Sequence, residues 1–146
     1  MERRLLGTII VILFLLSWVA AAPASDQADV NALLDRFEAA IANDDIPAVA
    51  ACLFRKGFFQ VYDYSGKGVF VYGKEGMLDP EWFKSNRYVR FESRQINVEG
   101  NIAYIRCIEN SLHTSGSNPH YRTMIIAVKD ARQWFIAVLS GRQIDF

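Results

Sequence analysis

The chain has 146 residues, of which 51% are apolar, 13% aromatic and 22% charged, a globular composition at single-domain length. Its 16 basic and 16 acidic residues cancel, so it lacks the electropositive footprint on which nucleic-acid binding depends. Two cysteines are too few for a disulfide scaffold or a four-cysteine zinc site, and no Walker A loop, dinucleotide glycine fingerprint or HExxH occurs.

The first segment reads as an address. Arg3-Arg4 precedes an apolar run from Leu5 to Ala22, and Ala22-Pro23-Ala24 is a small-x-small cleavage pattern. Residues 1–24 are expected to be a signal peptide cut after Ala24; an uncleaved anchor is the alternative, because about 18 apolar residues just span a bilayer. Cleavage leaves a single domain, 25–146, with 14 basic and 15 acidic residues. It is expected to be secreted or periplasmic, with no membrane contact after signal removal.

From Asp29, Val30, Leu33, Leu34, Phe37, Ala40 and Ile41 recur at helical spacing. Asn43-Asp44-Asp45 ends that helix. Asp45 as cap and Pro47 in the first turn start a second, with Ile46, Val49, Ala50 and Leu53 on its apolar face. After Gly57 the period becomes that of strands: Phe58–Asp63, a turn at Ser65-Gly66-Lys67-Gly68, then Val69–Tyr72. The interleaved Phe58, Phe59, Tyr62, Phe70 and Tyr72 read as sheet packing. A short helix lies within Lys74–Asn86, best over Pro80–Ser85. Four strands follow, Tyr88–Val98, Ile102–His113, Tyr121–Lys129 and Gln133–Arg142, as an antiparallel meander. Helices first and a sheet afterwards make an α+β domain.

Alternation sorts the side chains. One face of Ile102–His113 carries Ala103, Ile105, Cys107, Glu109, Ser111 and His113, and we read it as inward. Arg122, Met124, Ile126 and Val128 share a face, as do Trp134, Ile136, Val138 and Ser140. Apolar faces that turn polar toward one end suit a pocket with a wet mouth.

The stretches Leu34–Asp45, Val98–Tyr104 and Tyr121–Val138, in this order of elements, resemble the nuclear transport factor 2-like superfamily, which includes ketosteroid isomerases and polyketide cyclases. The resemblance implies N-terminal helices packed in a strongly curved antiparallel sheet, a cone with an inner pocket. It also implies that the chain pairs as a homodimer through the other face of the sheet, here Tyr104, Ile108, Phe135, Ala137 and Leu139. The isomerases' oxyanion tyrosine falls on Phe37, which has no hydroxyl, and their aspartate base falls nearest Asp63, about one residue further along. Isomerase activity is therefore not expected, since losing an oxyanion donor typically costs about 3 kcal/mol.

The acid–base candidates are Asp63, Glu109 and His113. Each has an ordinary account: Asp63 opens a turn, Glu109 lies at a solvated rim or pairs with Arg106 or Arg122, and His113 with His120 ends a polar hairpin. A metal on His113, His120 and Glu109 lacks a convergent set, so neither metal nor cofactor is expected. The ligand-binding candidates are Tyr62, Trp82, Cys107, Glu109, Arg122, Trp134 and Ser140. Arg122, Ser140 and Arg142 together suit an anionic group at a pocket mouth. The leading function is binding of a small apolar or amphipathic molecule. The alternatives are an isomerase, cyclase or dehydratase, and a protein-interaction module. Cys52 and Cys107 would close a loop of about 50 residues if bridged, worth about 4 kcal/mol, but two separate buried thiols are the favoured reading.

Overall fold

The computed structural model describes residues 25–64, 68–72 and 80–144. The expected signal peptide 1–24, the turn at Ser65–Lys67 and the expected helical residues 74–79 lie outside them. Helix α1 covers 25–42, four residues ahead of the predicted Asp29 start, and buries Val30, Leu33, Leu34, Phe37, Ala40 and Ile41 as its spacing requires. Helix α2 is Ile46–Cys52, with Pro47 in the first turn and the Asp45 carboxylate accepting from the Ala48 N–H at 3.0 Å. Its buried residues are Val49 and Cys52, while Ile46 is 62% exposed. The predicted face is thus shifted. Leu53 has already left the helix, as an extended C-cap bridging in parallel to Ile136. Helix α3 is Pro80–Ser85, and Trp82 and Phe83 on it are buried.

The strands are β1 Phe59–Tyr64, β2 Gly68–Tyr72, β3 Asn86–Glu99, β4 Ile102–His113, β5 His120–Asp130 and β6 Gln133–Ile144. They form one sheet in the order β2-β1-β6-β5-β4-β3. The meander is antiparallel as expected, but β1 joins β6 in parallel, so the sheet is mixed. This join carries the N-terminal hairpin to the edge opposite β3.

Two irregularities decide which side chains face the helices. In β3 the register slips between Glu92 and Gln95, and Ser93 takes φ +53°. That bend lets Arg94 reach α1, where it meets Asp35 and Glu38 at 2.6 Å each, while Phe37 stacks on Phe91 with ring centroids 6.1 Å apart. In the β5–β6 ladder the register slips between Ile126 and Ala127, leaving Ile136 and Ala137 both buried. Beyond this bulge the parity of β6 inverts. Leu139 and Gly141 turn inward, and Val138, Ser140 and Arg142 turn outward. The predicted face of Trp134, Ile136, Val138 and Ser140 is thereby split. On β5 the inward set is Tyr121, Thr123, Ile125 and Ala127, not the even-numbered set holding Arg122. Ala137 and Leu139, expected on the outer surface, are core residues.

The turn joining β5 to β6 uses Ala131 and Arg132 at φ +47° and +71°, the sign a tight hairpin demands at both central positions.

Candidate functional site

Inside the cone, β4 contributes Glu109, β1 contributes Tyr62, and β5 contributes Thr123. Glu109 is 0% exposed. The Tyr62 hydroxyl lies 2.9 and 2.8 Å from its two carboxylate oxygens, Ser111 Oγ donates to Oε1 at 2.9 Å, and Thr123 Oγ1 donates to Oε2 at 2.9 Å. Burial pushes the Glu109 pKa up; the three hydroxyl hydrogen bonds pull it back only in part. A carboxyl so placed keeps its proton to higher pH than a free one, with the Tyr62 hydroxyl within hydrogen-bond reach.

Aromatic rings hold Tyr62. Its ring meets Tyr121 edge-on at 5.2 Å and tilts against Trp82 at 6.0 Å. Gly141, opposite Tyr62 in the parallel ladder, leaves the room for it, since a Cβ there would sit 2.5 Å from the Tyr62 ring. One step along the same strand face is Gln60, also 0% exposed, with neither amide atom hydrogen-bonded among the described residues. Its registered neighbour is Leu139, which faces Ile125, which in turn faces Ile105. On this side the amide thus meets an aliphatic row, and its registered neighbour on β2 is Tyr72.

The structure therefore brings together Tyr62, Trp82, Cys107 and Glu109 from the predicted set. Cys107 is buried, its Sγ 3.7 Å from the Thr123 carbonyl oxygen, and desolvation first, then the Glu109 charge, pushes its pKa up to about 12. Asp63 lies across the sheet from this group, 3.5 Å from Arg142. Arg122 and Ser140 lie on that outer face too; the register that sends Thr123 and Gly141 inward sends them outward, so neither lines the cone. Trp134 is core at the far end of β6, with the Lys129 ammonium 5.6 Å from its ring. His113 is half-buried, which lowers its pKa, and its partner in register is Asn86. His120 pairs instead with Asn110, its Nδ1 against the Asn110 Oδ1. The two histidines do not converge, and no group of three metal-binding side chains occurs among the described residues. Cys52 and Cys107 are separate buried thiols.

Sequence reasoning missed Gln60 and Thr123, and it left Ser111 out of the site. For Gln60 a signal was present: it is the one amide on a strand face that otherwise reads Phe58 and Tyr62.

No family profile and no curated protein matches the sequence. Solved structures do match in shape. A nuclear transport factor 2-like protein from Cytophaga hutchinsonii aligns with TM-score 0.66 and 14% identity over 81% of this chain and 98% of its own. A candidate dehydratase of the same fold family from Streptomyces avermitilis gives 0.65 and 14%, over 84% and 98%. A candidate aromatic ring hydroxylase from Novosphingobium aromaticivorans gives 0.63 and 18%, over 85% and 92%. The chain has the nuclear transport factor 2-like fold, helices packed in a curled α+β sheet. Its activity does not follow from that fold.

Proposed function

We propose that this is an exported binding domain whose cone takes a small, uncharged, partly apolar molecule bearing hydrogen-bonding groups. The observation that carries the reading is Gln60, a fully buried amide with no hydrogen-bond partner among the described residues. Such a group costs about 1–3 kcal/mol, and a ligand that offers it both a donor and an acceptor recovers that cost. Glu109, held only by neutral hydroxyls, disfavours an anion in the same space. Because the Gln60 amide is sealed, ligand entry requires β1 to yield.

The test is native mass spectrometry of protein isolated from its source, with a Gln60→Leu variant beside it. The expected wild-type spectrum shows a chain beginning at Ser25 with a bound small molecule. The variant is expected to lose the molecule and gain about 1–3 kcal/mol of stability, because the orphaned amide is gone. A bare wild-type chain, together with a variant that is no more stable, refutes the reading.

A second reading, an acid–base enzyme of the dehydratase or isomerase kind, is favoured by the raised Glu109 pKa beside Tyr62. It requires that wild-type protein convert the recovered molecule and that Glu109→Gln bind it unchanged. Equal recovery of unaltered molecule from both sets it aside. As partner we propose a second copy of the chain, docked at the apolar end of the outer sheet face.

A further inference from the structure

A groove of about 650 Å³ crosses the outer face of the sheet, on the side away from Glu109. Strand register builds it. Asp63 stands beside Arg142, Arg142 opposite Arg122, Arg122 opposite Ile108, and Ile108 opposite Glu92, a second carboxylate at the far end of the row that makes no ion pair with these arginines among the described residues. In the next row Val61, Ser140, Met124 and Arg106 are neighbours in the same way. The bulge in β3 supplies a wall through Ser93 and Gln95.

The charges in this groove do not balance. Like charges directly opposite each other on adjacent strands repel, yet Arg122 and Arg142 are direct partners. Asp63 is the one carboxylate in the lining, and it reaches Arg142 only at 3.5 Å, with that arginine's side chain 81% exposed. Such a pair contributes little. Arg106 and Arg122 have no ion-pair partner among the described residues. Between the guanidinium groups the surface is apolar: Val61, Ile108 and Met124.

We propose that this groove binds a small organic anion. Its carboxylate or phosphate head sits between Arg122 and Arg142, whose forked donors match such a group. Its apolar body lies along Met124, Val61 and Ile108 toward Arg106. The sheet lies between this groove and the cone, the two sharing the strand positions Cys107, Thr123 and Gly141.

Calorimetric titration with octanoate, octyl phosphate, octanol and inorganic phosphate tests this. Octanoate or octyl phosphate is expected to bind saturably, more weakly as salt rises, and at least tenfold more tightly than octanol or inorganic phosphate. Arg122→Gln and Arg142→Gln are each expected to weaken binding about tenfold. Both positions are exposed, and circular dichroism checks that the variants fold. Gln60→Leu is expected to leave the titration unchanged. Octanol binding Gln60→Leu as tightly as octanoate does, or indifference to both arginine variants, overturns the proposal. So does inorganic phosphate matching octyl phosphate, since no apolar body is then read. Loss of binding in Gln60→Leu assigns the anion to the cone and overturns it as well. If no anion binds and Arg122→Gln alters the sedimenting mass, the groove is a seam between two copies, and the proposal falls.

Discussion

Glu109 concentrates the unusual electrostatics of the protein in one side chain. In the native state burial makes it hold its proton to higher pH than in the unfolded chain. Between the ordinary carboxyl value of about 4.3 and the raised native value, the native state binds more protons. Stability from this group is therefore full below the ordinary value and falls as pH rises through the native one. His113 acts with the opposite sign: burial keeps it neutral, so its contribution is present above about pH 6.5 and is lost as pH falls toward its lowered native value. Replacing Glu109 by Gln keeps an oxygen acceptor for Tyr62 and Thr123 and removes the titration. Urea unfolding across pH is expected to show Glu109→Gln gaining on wild type as pH rises; a difference that stays flat sinks the account. Cys107 offers a companion check. A thiol pushed up to about 12 is almost wholly protonated at neutral pH, hence a poor nucleophile. Denatured, unreduced chain is expected to titrate two free thiols, with Cys107 unreactive until the protein unfolds. A count of zero would mean a bridge and a different packing of α2 on β4.

Among the elements, β6 does most to set the site, and it was the least legible. Its core pattern looks unbroken from Trp134 to Ser140, because Ile136, Ala137, Val138 and Leu139 are all apolar, and no polar residue marks where the parity inverts. The bulge opposite Ile126 and Ala127 does the inverting, and it carries Ser140 and Arg142 outward and Gly141 inward. Helix α1 was legible, because it buries one stripe and shows solvent the other. β4 was legible because its odd face keeps Ala103, Ile105 and Cys107 together. The pairing of Tyr62 with Glu109 was not, because it depends on β1 entering the sheet parallel to β6, and nothing in either strand's own pattern specifies a distant neighbour. Gly141 is where this geometry is most exposed to test. Gly141→Ala puts a methyl group against the Cδ1–Cε1 edge of the Tyr62 ring, which Trp82 and Tyr121 hold in place. Overpacking of this kind is expected to cost about 1–3 kcal/mol and to pull the Tyr62 hydroxyl off Glu109. The tyrosine's ultraviolet difference spectrum reports that second effect, and a variant as stable as wild type with an unchanged spectrum would show that the ring is free to move.

At the scale of the whole molecule, the two sides of the sheet are chemically opposite. The inner side is closed on the buried Glu109 carboxyl and the hydroxyls of Tyr62, Ser111 and Thr123. The outer side is graded from end to end. One end has Ile102 level with Val128 and Phe135, then Tyr104 level with Ile126, Val138 and Phe59, an apolar row across four strands. The other end carries the arginines. Tyr104 is 41% exposed and Phe59 56%, more apolar surface than a solvated sheet face ordinarily shows. A two-fold dimer that sets these rows against their own copies buries them symmetrically and keeps the arginine ends apart, at the outer margins. The expected species at tens of micromolar (~10⁻⁵ M) is a dimer by sedimentation, and Tyr104→Lys is expected to make it monomeric with an unchanged circular dichroism spectrum. Salt separates this contact from anion binding. With the basic ends apart, the apolar seam holds as ionic strength rises, whereas a guanidinium–anion contact weakens. A wild-type monomer at that concentration, or a dimer that salt dissociates, would mean that the apolar rows are not the seam.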